Sequence, residues 1–258
     1  MGKTPATAQL DDLIETSLDR NDLDELQKCI YETFSTVDHA HERTRELKNE
    51  KEEASGAEEK DLAEKRGILL YALGRYSEAK EELETVADRK EASHFLGRCC
   101  LELGEAQEAI ENLEDGRSGD DDFETDMLLA HAHWRAGDVE EAEEICDSHE
   151  QSHPDAPEIL CCRGKIAEAR GEYGEAVDLY EECLEEDPEH QEALFRLAHN
   201  CDLNGQDDRA IELYSRCASI KPTCVGALLN LGILYEDRRE YEDARDCYRR
   251  VLAIDPTH

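Results

Sequence analysis

Three residues near the middle of the chain are of types that bind metal ions. His133, Cys146 and His149 lie within the stretch HAHWRAGDVEEAEEICDSHEQSH. Imidazole nitrogen and thiolate sulfur are ligands that Zn²⁺ prefers, and residues three apart on a helix share a face. The three side chains could therefore converge between two neighbouring helices. The alternative is packing, since inward histidines commonly find a backbone or carboxylate partner. We predict no cofactor and keep these three as the candidate metal ligands.

The 11 cysteines raise the same choice between packing and chemistry. Their number is odd and no CxxC pair occurs, which argues against both a disulfide framework and a zinc finger. Most recur at positions where a helix would bury a small apolar side chain, as expected in a reducing compartment. A metal-binding or redox-sensing module built on clustered His and Cys is the alternative function.

The charge balance excludes several classes of partner. Asp and Glu number 66 against 29 Lys and Arg, for a net charge of −37, so the sequence predicts no direct binding of nucleic acid or anionic membranes. No apolar run is long enough for a membrane span and no signal peptide is evident, which predicts a cytoplasmic protein. Carboxylates spread over amphipathic helices are usually solvated faces rather than acid and base pairs, so we expect no enzyme.

A fixed repeat period organises the positions that must carry these side chains. Four prolines recur at one constant interval: Pro154, Pro188, Pro222 and Pro256. Four alanines keep the same interval: Ala142, Ala176, Ala210 and Ala244. A fixed period of this length is typical of a solenoid of stacked units.

The period divides most of the chain into helix-turn-helix units. We place six of them at residues 60–89, 90–122, 123–156, 157–190, 191–224 and 225–258. A small residue in each first helix is expected to face the recurring alanine of the second. The first five units carry a glycine where a left-handed cap would end the first helix: Gly74, Gly104, Gly137, Gly171 and Gly205. Residues 1–59 fit no unit and are interpreted as an N-terminal helical cap followed by a charged segment, either exposed helix or linker.

The last unit carries a residue pattern that resembles the tetratricopeptide repeat (TPR). Its Leu, Gly, Tyr, Ala, aromatic, apolar and Pro positions are Leu231, Gly232, Tyr235, Ala244, Tyr248, Val251 and Pro256. The resemblance covers residues 60–258 and implies an all-α, right-handed α-α solenoid of about six hairpins with an N-terminal helical cap. Two stretches, residues 192–217 and 226–258, are also similar to bacterial TPR proteins that carry a domain like the C-terminal domain of the RNA polymerase alpha subunit.

The same resemblance implies a noncatalytic scaffold that binds a partner peptide or helix in a concave groove lined by the first helices. The basic and aromatic residues at these lining positions are Phe95, Arg98, Trp134, Arg135, Lys165, Phe195, Arg196 and His199. Such a set could select an acidic or C-terminal carboxylate segment by charge-assisted hydrogen bonds and stacking. The alternative is that they are ordinary solvated positions. The stripe Tyr248, Val251 and Leu252 is expected to lie uncovered and to favour self-association through the last repeat.

Overall fold

The computed structural model describes residues 5–15, 18–32, 34–119, 122–220, 223–254 and 258. Every element within them is helical, which confirms the all-α class. The chain divides into two compact parts, Met1–Leu128 and Leu129–His258, with the boundary inside the helix Phe123–Ala136. These two parts are called the first and second unit from here on, and each repeat is called a hairpin. Within the described residues, no helix is both long and apolar enough to cross a bilayer.

Helices of the first unit begin with an N-terminal group that precedes the repeats. That group consists of α1 (Pro5–Glu15), a 3₁₀ turn (Arg20–Asp22), α2 (Leu23–Ile30) and α3 (Phe34–Glu53). The hairpins that follow are α4 (Ala57–Ala72) with α5 (Tyr76–Glu84), and α6 (Lys90–Leu103) with α7 (Ala106–Gly116).

Four further hairpins complete the predicted set of six. They are α8 (Phe123–Ala136) with α9 (Val139–His149), α10 (Pro157–Arg170) with α11 (Tyr173–Glu186), α12 (Gln191–Leu203) with α13 (Asp207–Ile220), and α14 (Val225–Asp237) with α15 (Tyr241–Ile254). Pro188 follows the end of α11, whereas Pro222 and Pro256 lie outside the described residues.

The glycines between paired helices adopt the left-handed conformation that the sequence predicts. Their φ angles are 75° at Gly74, 84° at Gly104, 93° at Gly137, 79° at Gly171 and 68° at Gly205. In the last hairpin the equivalent residue is Arg239, whose φ of 62° is the only positive value at a non-glycine within the described ranges. The turn geometry is therefore retained where the glycine is lost.

The small residues of the first helices approach the second helices closely, and a Cβ added to Gly97 would lie 3.2 Å from the carbonyl oxygen of the recurring alanine Ala109. At the glycines, a large side chain of the second helix is also close. A Cβ added to Gly164 would lie 2.5 Å from the Tyr180 ring, and one added to Gly232 would overlap the Tyr248 ring. Gly67 meets Leu83 in the same way. The glycine is thus the seat of a large side chain four residues beyond the recurring alanine, and removing the Cβ makes room for it.

Most of the charged segment is helical in the structure and lies within α3. Residues 41–53 continue α3, which buries Ala40, Thr44 and Leu47. Glu82 of α5 is 7% exposed and accepts hydrogen bonds from Lys51, with Nζ to Oε1 at 2.5 Å, and from Arg66. Lys51, which looks like part of a solvated run in the sequence, therefore takes part in a partly buried ion pair.

Arg20 connects the N-terminal group to residues 71 to 105 positions further along the chain. Its Nη1 donates to Asp122 Oδ2 at 3.1 Å and to Thr125 Oγ1 at 2.9 Å, and its Nη2 donates to the Gly116 carbonyl at 3.2 Å. Its backbone amide donates to Glu91 Oε1 at 2.7 Å. Nothing in the repeat pattern predicts these contacts, because Arg20 lies outside every repeat.

The expected uncovered stripe of the last hairpin is mostly covered. Val251 is 2% exposed, and the Tyr248 ring packs over Gly232 inside the hairpin. Leu252 alone of the three is exposed, at 49%. The exposed apolar surface is smaller than predicted because the Tyr248 ring packs against Gly232, where no Cβ is in the way.

Candidate partner-binding site

In the second unit, two predicted residues, Lys165 and Arg196, lie beside the indole ring of a third, Trp134. Trp134 lies in the last turn of α8, Lys165 in the middle of α10 and Arg196 in the first half of α12. The Arg196 guanidinium carbon lies 4.4 Å from the centre of the Trp134 ring, and Lys165 Nζ lies 5.8 Å from it. Both separations are within the range of cation–π attraction.

Carboxylates of the same unit balance the charge of Arg196. Its Nε donates to Glu192 Oε1 at 2.8 Å, and its Nη1 lies 3.4 Å from Glu168 Oε2. Asn200 Nδ2 donates to the other oxygen of Glu168 at 2.6 Å. Burial raises the pKa of Glu192, but Lys165, His131 and Arg196 outweigh it and hold that pKa below its usual value. Arg196 is therefore committed to internal contacts.

Lys165 presents a different situation. The residue is 6% exposed, and its ammonium makes no hydrogen bond or ion pair with the part of the chain that the structure describes. Glu192 attracts it only at longer range. An ammonium carries three donors, so a largely buried one without an acceptor is ready to bind an oxygen ligand.

The imidazole of His131 lies next to the Trp134 ring as well. His131 was not among the predicted site residues. Its imidazole centre is 5.6 Å from that of Trp134, and its buried Nε2 has no hydrogen-bond partner among the described residues. Burial, followed by the charge of Lys165, lowers the pKa of His131 to about 3, so the ring is neutral at pH 7. The period could have revealed it, since His131, Lys165 and His199 occupy the same position in successive repeats.

The other predicted residues of the second unit are not part of the cluster formed by Trp134, His131, Lys165 and Arg196. Arg135 and His199 are exposed. Phe195 is half-buried, with its ring 5.7 Å from that of Tyr214 and in contact distance of a Cβ placed on Gly226. These three are accessible without being part of the Trp134 cluster.

Two predicted site residues make internal contacts within the first unit. Phe95 is fully buried and packs edge-on against Tyr71 at 5.6 Å, so it offers no ring face to a partner. Arg98 donates from Nε to Tyr71 Oη at 3.3 Å and from Nη1 to Glu124 Oε1 at 3.0 Å. Both residues serve packing and internal pairing there.

The candidate metal ligands do not form a ligand set among the described residues. His133 Nδ1 lies 3.7 Å from Asp138 Oδ2, Cys146 contacts Cys162, and the His149 ring lies 5.9 Å from that of His153. The helices that carry them point the three side chains toward different neighbours.

One other group of possible ligands brings its atoms within 4.8 Å of one another in the described ranges: Cys100, Glu105 and Glu108. Lys80 already occupies this acidic pair, with Nζ 2.7 Å from Glu105 and 2.8 Å from Glu108. An ammonium in that position neutralises the carboxylates and argues against a cation there.

Fold and site together define an all-helical repeat scaffold with a polar cluster on the first helices of one unit. Sequence profiles described as tetratricopeptide repeat match residues 64–122, 124–148, 167–218 and 225–258. The chain therefore belongs to the tetratricopeptide repeat family, whose repeats build protein-interaction scaffolds. The comparison with curated proteins found no match.

A solved structure agrees on the fold along nearly the whole chain. The chain is similar to the crystal structure of the APC/C hetero-tetramer Cut9-Hcn1, at 15% identity and a TM-score of 0.52, covering 98% of this chain and 53% of that one. It is also similar to a crystal structure of MamA, at 22% identity, a TM-score of 0.44, and coverage of 62% of this chain and 95% of that one. MamA 41-end from Desulfovibrio magneticus RS-1 matches at 19% identity with a TM-score of 0.42, covering 66% and 97%. None of these matches supports the similarity to proteins with an RNA polymerase alpha-like domain.

Proposed function

We propose that the chain is a noncatalytic scaffold whose second unit binds a carboxylate of a protein partner at Lys165 and His131. The observation that carries the proposal is the Lys165 ammonium, which is 6% exposed and has no acceptor among the described side chains and backbone. Membership of the repeat family supports a protein or peptide as the partner.

The chemistry around Lys165 favours a carboxylate over other ligands. The ammonium supplies donors, and a neutral His131 can donate from Nε2 in the tautomer that carries a proton there. Lys165 is only 6% exposed beside the Trp134 ring, and low exposure to water strengthens a charge-assisted hydrogen bond. A cationic ligand would instead meet Lys165, Arg196 and the exposed Arg135.

The acidic surface restricts which partners reach the site. A net charge of −37 repels a densely acidic segment at long range. A single terminal carboxylate, or one acidic side chain within an otherwise neutral segment, avoids most of that repulsion. The partner segment therefore carries one anchoring carboxylate, with apolar neighbours able to contact Phe195.

Fluorescence anisotropy with a peptide library tests this site. Each labelled peptide is made once with its C-terminal carboxylate and once as the amide, with no other acidic group. We expect binding by the carboxylate forms and a loss of about tenfold or more in Lys165→Met, since a hydrogen bond to a charged group contributes about 1.5–3 kcal/mol.

Arg163→Met is the matched control on the same helix. Arg163 is two residues from Lys165, but its guanidinium is paired on the surface with Asp147 and Glu150 at 3.1 and 3.0 Å. That variant should bind like the unmodified protein. Equal affinity for acid and amide peptides, or an unchanged affinity in Lys165→Met, would contradict the proposed site.

A further inference from the structure

A pair of thiols lies where the fifth hairpin gives way to the sixth. Cys217 belongs to the last turn of α13, and Cys224 immediately precedes α14. Their Sγ atoms are 3.8 Å apart. The pair is close enough for one sulfur to attack the other after a small shift, since a disulfide needs about 2.05 Å between them.

Accessibility separates Cys224 from the other cysteines. All 11 lie in the described parts of the chain; ten are buried, and Cys224 is half-buried. An oxidant from solution therefore reaches Cys224 before the rest. Its neighbour Cys217 is fully buried and stands ready as the second thiol.

The preceding repeat supplies an internal reference for this pair. Cys183 stands one period before Cys217, and its Sγ donates to the Pro157 carbonyl at 3.1 Å. Cys217 Sγ likewise faces the Gln191 carbonyl, at 3.6 Å, and Gln191 follows Pro157 by the same period. Cys183 and Cys217 thus occupy equivalent positions in successive hairpins and face equivalent carbonyl groups.

The residue equivalent to Cys224 in that earlier repeat is His190. The His190 side chain caps α12 by accepting a hydrogen bond from the Ala193 amide at 3.2 Å. Cys224 makes no such side-chain cap to α14. Cysteine at the position of the capping histidine puts a second thiol beside the first.

We propose that Cys217 and Cys224 form a reversible disulfide when the protein meets a peroxide. The Cys224 thiolate attacks one peroxide oxygen, the O–O bond breaks, and a sulfenic acid forms as hydroxide leaves. Cys217 then attacks that sulfur, and the S–S bond forms as the sulfenic oxygen leaves as water. Overall, two thiols and one hydrogen peroxide give one disulfide and two waters. A dithiol reductant reverses the step.

The bond would join the end of one hairpin to the beginning of the next. In stacked repeats, stability depends on the contacts between neighbouring units, so a covalent tie at that junction acts on the coupling of two repeats. A closed loop this short also restricts the unfolded chain. We therefore expect the oxidised protein to melt at a higher temperature than the reduced one.

Peptide mapping of the whole reduced protein tests the proposal. One tryptic peptide, from Cys217 to Arg238, carries both cysteines. After hydrogen peroxide and then an alkylating agent, we expect this peptide to be about 2 Da lighter than its dithiol form and to take up no alkyl group. Prior treatment with a dithiol should restore two alkylation sites and the lower melting temperature.

Two variants complete the test. Cys224→Ser should leave Cys217 reduced under the same exposure and abolish the redox-dependent thermal shift. His190→Cys should create an equivalent pair with Cys183 in the earlier repeat. Two alkylated sites after peroxide would overturn the proposal, as would a bond between Cys224 and a third cysteine or a dimer linked through Cys224.

Discussion

His94 shows how a single buried side chain couples this fold to pH. It is fully buried, its Nδ1 lies 3.2 Å from Thr125 Oγ1, and Nε2 has no hydrogen bond among the described residues. Burial, and then the charges of Arg20 and Arg98, lower its pKa to about 3. The native protein therefore keeps this imidazole neutral where an unfolded chain would protonate it.

The expected result is a loss of stability in acid. Below the ordinary histidine pKa of about 6.5, the unfolded state binds one more proton than the native state until the pH reaches the native pKa. Stability therefore falls by up to about 1.4 kcal/mol per pH unit for this residue, and all of its contribution is present above pH 6.5. His94→Gln should flatten the dependence of unfolding free energy on pH, measured by denaturant titration from neutral pH down to about pH 4.5.

Other histidines also make the unfolding free energy depend on pH. The effect of His94 is therefore the difference between the pH profiles of the unmodified protein and His94→Gln. His131 also has a pKa lowered to about 3, and it is unchanged in the variant. Two parallel pH profiles, separated by a constant offset, would show that His94 carries no pH dependence.

At the scale of the element, the glycine seat sets how tightly the two helices of a hairpin approach. Gly164→Ala places a methyl group 2.5 Å from the Tyr180 ring, closer than any van der Waals contact. We expect a destabilisation of about 1–3 kcal/mol, because the ring is fully buried and cannot move aside cheaply.

Gly174→Ala provides the matched control in the facing helix. A Cβ added there meets nothing within 4 Å. Since alanine is the better helix former, this variant should be neutral or more stable by up to about 1 kcal/mol. Thermal and denaturant unfolding compare the two, and equal effects of both substitutions would mean that the seat is not close-packed.

The repeat period makes the helical hairpins predictable from the sequence. The partner of each side chain within and between hairpins depends on contacts that the period does not encode. The capping glycines repeat and are predicted correctly, because only a positive φ ends the first helix of each pair in that way. The partner of Gly164 is not predictable, since sequence spacing alone does not tell whether an alanine or a tyrosine faces it. In the candidate site, the sequence identifies Lys165 and Trp134, yet the internal commitment of Arg196 depends on two carboxylates from different helices.

At the scale of the whole molecule, charge opposes association while exposed apolar side chains of the last hairpin favour it. Ile233, Tyr241 and Leu252 are 52%, 60% and 49% exposed. The net charge of −37 keeps copies apart at low ionic strength. Salt shortens the reach of that repulsion to about 10 Å at 0.1 M and about 3 Å at 1 M.

We therefore predict self-association that increases with salt, measured by sedimentation at low and high ionic strength. Leu252→Glu should suppress the oligomer at high salt, because it places a charge within the exposed apolar surface. Leu203→Glu is the control, since Leu203 is 70% exposed but lies at the end of α12. A monomer under all conditions, or equal suppression by both variants, would contradict an interface on the last hairpin.

The contact of Arg20 with Asp122 has a consequence for the order of events during synthesis. The two residues are separated by 102 positions, and Thr125, which also accepts a hydrogen bond from Arg20, follows three residues later. A ribosome adds about 5–20 residues per second, so the nascent chain waits roughly 5–20 s between the emergence of the arginine and that of its acceptors. Glu91 and the Gly116 carbonyl emerge earlier, so the contacts of Arg20 form in stages. The N-terminal group thus completes its attachment only after the second hairpin and the start of the third have been released, which makes the earliest part of the chain one of the last to settle within its unit.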